Sequence, residues 1–253
     1  MANWQDLKTE LELWADAGRV ATFWWRDDDA VRKCPALERL IELAQTRKVP
    51  LALAVIPKMA EPELADYLQG AVQVEILQHG FAHANHAGKN EKKQEFGPHR
   101  SKKERLGDVR EGARLLEYFT NRCAVFVPPW NRVDPKLLPV LPAFGIRGIS
   151  TFGPRNEDAP APGLSRVNTH IDPVDWRGGR IYAGDDTVLA QIVNHLEKRR
   201  NGQADAEEPT GLLTHHLVHE EAGWGFIARL LDLTCEHEAV KWLGASEAFG
   251  FDK

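Results

Sequence analysis

The chain has 253 residues, 43% of them hydrophobic and 27% charged, which is the composition of an ordinary globular protein. That length suits one large domain over 1–253 rather than two full-sized enzyme domains with long linkers. A net charge of −5 argues against a dedicated nucleic-acid binder, and three dispersed cysteines with no Cys-x-x-Cys pair argue against a disulfide framework or a cysteine zinc site.

The first residues show no basic start followed by an apolar run. No stretch approaches the roughly 18 apolar residues of a membrane span. The expectation is a cytoplasmic protein with reduced thiols and no membrane partner.

Trp4, Leu7, Leu11 and Trp14 stand at helical spacing, which predicts an N-terminal helix at about 3–18. The β-branched and aromatic run 20–25 predicts a buried strand that ends in a charged loop, Arg26-Asp27-Asp28-Asp29. Pro35 opens a helix to about residue 47, with Leu37, Leu40, Ile41 and Ala44 on one face. Strands are expected at 51–56 and 72–77 around a short helix at 62–68, the second strand ending in Gln78-His79. The polar stretch 80–100 reads as a functional loop, because loops of that length in a compact domain carry a job or are disordered. Its Lys92, Lys93 and Arg100 offer a weak case for an anionic group, and its interleaved Glu91 and Glu95, with Glu104, read as solvated charges.

Ser101 and Glu104 form a capping box for a helix to about residue 119. A strand at 123–127 runs into Pro128-Pro129-Trp130-Asn131, and Asp134-Pro135 caps another helix. Further strands are expected at 146–150, 166–169, 212–215 and 240–243, with helices at 186–200 and 221–235. Such alternation predicts an α/β fold with a parallel sheet, either a (β/α) barrel or an open doubly wound sheet. No Gly-x-Gly-x-x-Gly or P-loop is present, and the unusual residues all follow strands, so the barrel is the better reading.

Five groups carry the chemistry. His79 and His83 lie four apart and can share one metal ion, or they are surface histidines of a polar loop. Asp27, Asp28 and Asp29 repel one another and call for a cation, from a metal or from Arg26; otherwise they form a solvated turn. Pro128 and Pro129 fix the backbone and expose Trp130, which can stack on a sugar or fill the core. Asp172, Asp175 and Trp176 follow His170, and these carboxylates can orient a histidine across the pocket. His215 and His216 close a Leu-rich strand, and one of them can act as general acid.

In this order the motifs resemble the polysaccharide deacetylase family, carbohydrate esterase family four with its chitooligosaccharide-deacetylase homology domain. The likeness spans residues 24–216. Its paired aspartates resemble Asp28 and Asp29, its His-x-x-x-His resembles His79 and His83, and its Pro-Pro-aromatic resembles Pro128, Pro129 and Trp130. Its Asp-x-x-Asp-Trp resembles Asp172, Asp175 and Trp176, and its closing histidine resembles His215.

The resemblance implies a distorted (β/α) barrel of seven to eight parallel strands, and a divalent ion, Zn²⁺ first among candidates, on Asp29, His79 and His83. It further implies Asp28 as general base, His215 as acid oriented by Asp172 or Asp175, and Trp130, Trp176, Asn131, His170 and Arg26 facing the substrate. That substrate would be a small-molecule or oligosaccharide N-acyl compound, deacetylated at its amide. Two alternatives stand beside this: an inactive barrel that binds carbohydrate or a partner, and a different metal-dependent amidohydrolase. The family's usual arginine before Pro-Pro is Val127 here, so the cation that balances the base must come from elsewhere, with Arg26 and Arg132 as candidates. The register of the three aspartates, and the choice between His215 and His216, stay open at this level.

Overall fold

The first strand does not stop where its charges begin. In the computed structural model β1 (Ala21–Ala30) runs through all four charged residues that the sequence pattern assigned to a loop. Arg26, Asp27 and Asp28 are buried there. A strand can hold such residues because the neighbouring chains satisfy its backbone and each charge meets a partner. The structure describes residues 2–251; Met1, Asp252 and Lys253, inside the expected 1–253 domain range, lie outside the described residues.

β1 is flanked by β9 (Thr210–Thr214), in register from Phe23 opposite Thr210 to Asp27 opposite Thr214. Its other edge carries β10 (Val240–Leu243) and then β2 (Leu51–Val55). From β2 the sheet passes to β3 (Val74–His79), β4 (Arg122–Val127), β5 (Gly148–Ile149) and β6 (Ser165–Arg166). Every pairing in this eight-stranded sheet is parallel. Isolated parallel bridges from Phe152 to Thr169 and from Ile171 to Leu212 carry the pairing round to β9. The result is a distorted (β/α) barrel in a single domain, with β5 and β6 reduced to two residues each. A small antiparallel hairpin, β7 (Val174–Asp175) with β8 (Ile181–Tyr182), stands apart from the sheet.

The helices follow the apolar periodicity. α1 (Trp4–Asp16) starts at Asn3, whose side chain and that of Asp6 form a capping box, and it buries Leu7, Leu11 and Trp14. α2 (Pro35–Arg47), α3 (Pro62–Leu68), α5 (Asp185–Arg200) and α6 (Glu221–Cys235) pack their apolar stripes on the outside of the barrel. α4 (Lys102–Leu115) has the expected Ser101–Glu104 box but ends four residues early, and α7 (Ala245–Ala248) is a single turn. The segment after Asp134 is a 3₁₀ run, Pro135–Phe144, rather than an α-helix. Pro139 and Pro142 lie inside it, and each lacks the N–H that an α-helical ladder needs.

Consecutive residues of β1 face opposite ways, which splits two adjacent tryptophans between two cores. Trp24 joins Ala52, Ala54, Leu77, Val125 and Val127 inside the barrel, where the alanines leave room for it. Trp25 joins the layer between barrel and helices. Parallel packing brings the C-terminal ends of β1, β3, β4 and β9 to one mouth.

Candidate active site and metal centre

Asp29, His79 and His83 converge at that mouth, with one ligand atom from each lying within 4.8 Å of the others. Nε2 of His79 is 3.1 Å from Asp29 Oδ1, and Nε2 of His83 is 3.4 Å from the same oxygen. On the far side of its ring His79 Nδ1 is 3.0 Å from the carbonyl of Val127. A carbonyl only accepts, so Nδ1 carries the proton and Nε2 presents its lone pair to Asp29. Two acceptors facing each other need a cation between them: a second proton on the ring or a metal ion. Two imidazoles and a carboxylate form a donor set that suits a divalent ion with open coordination positions. The residues therefore fit the metal that the motifs imply.

Electrostatics agree with the geometry. Burial works to raise the Asp29 carboxyl, but the hydrogen bond to His79 and the charges of His79, His215 and His83 outweigh it and hold it well below the usual carboxylate range. His83 is lowered as well, chiefly by burial.

Backbone strain gathers at the same place. Asp29, His83, Trp130 and Asn131 all have positive φ, between 52° and 71°, a region that side-chain-bearing residues avoid. Four of the six such residues among those described are thus at one barrel mouth. The Trp130 ring sits 4.3 Å from that of His83, placing an aromatic face beside the metal ligands.

Asp28 points inward, onto Arg26. A terminal nitrogen of the guanidinium donates to Oδ2 at 3.0 Å, and Nε lies 2.9 Å from Oδ1 as an ion-pair contact. Arg26 also donates to Asn131 Oδ1 at 2.9 Å and Ser150 Oγ at 2.6 Å. It is 0% exposed, so neither it nor the Asn131 oxygen it holds is free for substrate as the sequence led us to expect. A guanidinium thus reaches Asp28 from β1, two residues before it, while Val127 precedes the Pro-Pro pair. Arg132 does not supply it: its guanidinium donates to the Lys93 carbonyl in the outer loop.

The three aspartates separate by role. Asp27 takes hydrogen bonds from the Thr214 hydroxyl at 2.7 Å and the His216 N–H at 3.0 Å, and its Oδ1 is 2.6 Å from His216 Nδ1. That buried pair ties the end of β9 to β1 and removes His216 from the mouth. His215 stays at the mouth, its ring centroid 4.7 Å from that of Trp176 in an edge-to-face contact, and its charge acts on both Asp29 and Asp172. Asp172 is raised by burial, against His215 and the hydrogen bonds from Val174 N–H and Trp176 Nε1. Asp175 is turned away: its Oδ1 accepts from the N–H groups of Arg177 and Gly178 and caps the β7–β8 turn. His170 is also withdrawn. It lies against His195 on α5 and beside Glu208, not at the mouth.

Ser150, which accepts from Arg26, and Glu95 both escaped the sequence reading. Glu95, expected to be solvated, is 1% exposed and accepts from the backbone of the turn between His79 and His83. Its spacing from that turn carries no helix or strand period, so only the folded loop reveals it. Arg100, proposed for anion binding, is paired with Asp108 at 2.6 Å.

No protein-family model matches the chain, and no curated protein matches it either. Solved structures do. A protein assigned as a polysaccharide deacetylase from Mycobacterium smegmatis superposes with a TM-score of 0.63 at 14% identity, covering 92% of this chain and 90% of its own. The fold is that of the family-four carbohydrate esterases. The peptidoglycan deacetylase PdaC from Bacillus subtilis gives 0.57 at 13% identity over 92% of both chains. A family-four acetyl xylan esterase from Clostridium thermocellum, solved with a cobalt ion, gives 0.51 at 15% identity over 91% of both.

Proposed function

We propose that this protein is a metal-dependent amide hydrolase that removes the acetyl group from an N-acetylated sugar or a similar small N-acyl compound. The observation that carries the reading is the convergence of Asp29, His79 and His83, in the metal-ready tautomer of His79, beside an Arg26-held aspartate. The deacetylase fold of the structural neighbours supports it. A divalent ion held by those three side chains, with Zn²⁺ our first candidate, would supply Lewis acidity to the acyl carbonyl and to the attacking water.

The chain's own residues do the rest. Asp28 accepts the proton of the attacking water at a carboxylate oxygen, and Arg26 keeps that carboxylate aimed. Asn131 and Ser150 fix the guanidinium, so the base is held by a network that starts on three separate strand ends. His215 delivers a proton to the departing nitrogen, with the half-buried Asp172 supporting its charge and Trp176 fixing both through its Nε1–H and its ring. Trp130 and Trp176, the latter 41% exposed, offer apolar faces to a sugar ring. The inactive-module reading drew its strength from Val127, and Arg26 removes that support.

The test is metal content together with acetate release from a panel of N-acetyl sugars. Wild-type protein is expected to hold one divalent ion per chain, and His79→Ala to lose it. Asp28→Asn should keep the ion while turnover drops about 10²–10⁴-fold, the usual weight of a general base. A wild type with no ion and no turnover would leave the barrel as a binding module. Loss of the ion in Asp28→Asn would move the ligand role one residue back.

A further inference from the structure

The turn that carries His83 has no regular secondary structure to hold it, and it is strained. Gly80 has φ +56° and His83 has φ +52°. Loops of this kind keep one shape only when something outside them dictates it. The Gly80 N–H donates to the Val127 carbonyl and the Phe81 carbonyl accepts from the Lys58 N–H, which pins the start of the turn; the part that carries His83 is met by one carboxylate. Glu95 Oε2 accepts from the Phe81 N–H at 3.1 Å, and Oε1 accepts from the N–H groups of Ala82 at 2.8 Å and Ala84 at 3.4 Å. The last two flank His83 on either side.

The fit is close enough to exclude any side chain at position 80. A Cβ there would lie 2.3 Å from Glu95 Oε2 and 2.5 Å from the Pro129 ring. The glycine therefore lets the carboxylate and the Pro-Pro corner approach the same turn from two directions. Glu95 is itself anchored. Phe96, its neighbour, is fully buried against Phe126, and the Phe96 carbonyl accepts from the Asp134 N–H and from Arg105. Arg105 in turn pairs with Asp134 at 2.9 Å. A rigid patch from α4 and the segment after β4 thus reaches, through one side chain, the loop that presents a metal ligand.

We propose that Glu95 is a positioning residue for the metal centre, its carboxylate fixing the 80–84 turn so that His83 meets Asp29 and His79. This rests on the reading of those three residues as metal ligands. Charge-assisted N–H···O bonds are about twice as strong as neutral ones, so a carboxylate fixes this turn far better than an amide would. Gln at 95 keeps the volume but leaves one acceptor oxygen and sets an NH₂ group against backbone N–H groups.

The experiment is a titration of metal-free protein with Co²⁺, followed by its visible absorption, for wild type, Glu95→Gln and Gly80→Ala. Positioning residues behind metal ligands are usually worth 10–100-fold in affinity. Glu95→Gln is expected to bind Co²⁺ that much more weakly and with an altered visible band, while the metal-free form keeps the wild-type fold by circular dichroism. Gly80→Ala, which pushes on the carboxylate from the other side, should shift affinity in the same direction. Equal affinity and an unchanged spectrum in Glu95→Gln would overturn the proposal. A Glu95→Gln chain that fails to fold without metal would also overturn it, since the role would then be global. A wild type that takes up no Co²⁺ would instead bring down the metal-centre reading itself.

Discussion

Asp29, His79 and His83 at the barrel mouth, and His170, His195 and Glu208 beneath α5, are built from the same ingredients. Each set has two imidazoles and one carboxylate with ligand atoms within 4.8 Å of one another. They differ in what the far nitrogen of a ring does. At the mouth His79 Nδ1 donates to a carbonyl, which leaves the inward Nε2 with a lone pair. In the second cluster His170 Nδ1 accepts from the Gly211 N–H at 3.0 Å, so a neutral ring carries its proton on Nε2, 3.3 Å from Glu208. A metal there would have to bind an imidazolate. Glu208 also accepts from the N–H groups of Asn168 at 2.9 Å and Arg155 at 3.1 Å. Its charge is met by donors without any added cation.

Backbone strain separates the two in the same sense. Asp29 and His83 have positive φ, and none of His170, His195 and Glu208 does. The comparison teaches that a list of His and Glu neighbours does not define a metal site; the hydrogen bond behind each ligand does. The mouth gathers strain and unmatched acceptors, and the second cluster is a clamp that joins α5 to the start of β9.

The sharpest way to break this comparison is to remove one member from each side. His83→Ala should weaken metal binding by more than the 10–100-fold typical of losing a residue behind the ligands, with the metal-free fold intact, as measured by chelator competition. Glu208→Gln should leave one ion per chain and cost about 3 kcal/mol in urea denaturation, because a buried carboxylate with several donors is lost from the clamp. If wild type binds two ions and Glu208→Gln binds one, the tautomer argument is wrong.

The last expected effect is in pH. Burial above all, with the charges of His170 and Arg199, lowers His195 to about 2, and burial lowers His219 to about 4. Below the ordinary value near 6.5 the unfolded chain takes up protons that these folded residues refuse. Stability therefore falls as pH drops from about 6.5 toward 4, by up to about 1.4 kcal/mol per unit for each group. His216 acts with the opposite sign: burial lowers it, but Asp27 outweighs burial and raises it. The difference between wild type and His195→Gln isolates the clamp, and a difference curve flat between pH 4 and 6.5 would contradict a buried neutral His195.

Much of the fold was legible because it rests on short-range rules. The spacing of Leu7, Leu11 and Trp14, the Ser101–Glu104 box and the bounds of Glu221–Cys235 and Val240–Leu243 all follow from periodicity and capping. The misread places are those where tertiary partners overrule local polarity. Arg26–Asp29 looks like a loop because isolated charges avoid strands, yet Asn131, Ser150, Thr214 and His216 satisfy them inside one. Pro139 and Pro142 are visible in the sequence, and they keep the segment after Asp134 from forming an α-helix.

The sequence by itself determined the alternating parallel-barrel pattern and the set of strand-end residues from which a site can be made, since both depend on residue type and spacing along one chain. Only the tertiary structure decided which of them meet. It sent Asp27 to His216, Asp28 to Arg26 and Asp29 to the histidines, although the three aspartates are adjacent and chemically identical. It also brought Glu95 in from a loop and turned Asp175 and His170 away. The reason is physical. Side-chain direction at a strand end and the partner that neutralises a buried charge are set by neighbours far apart in the chain, and no local pattern encodes them.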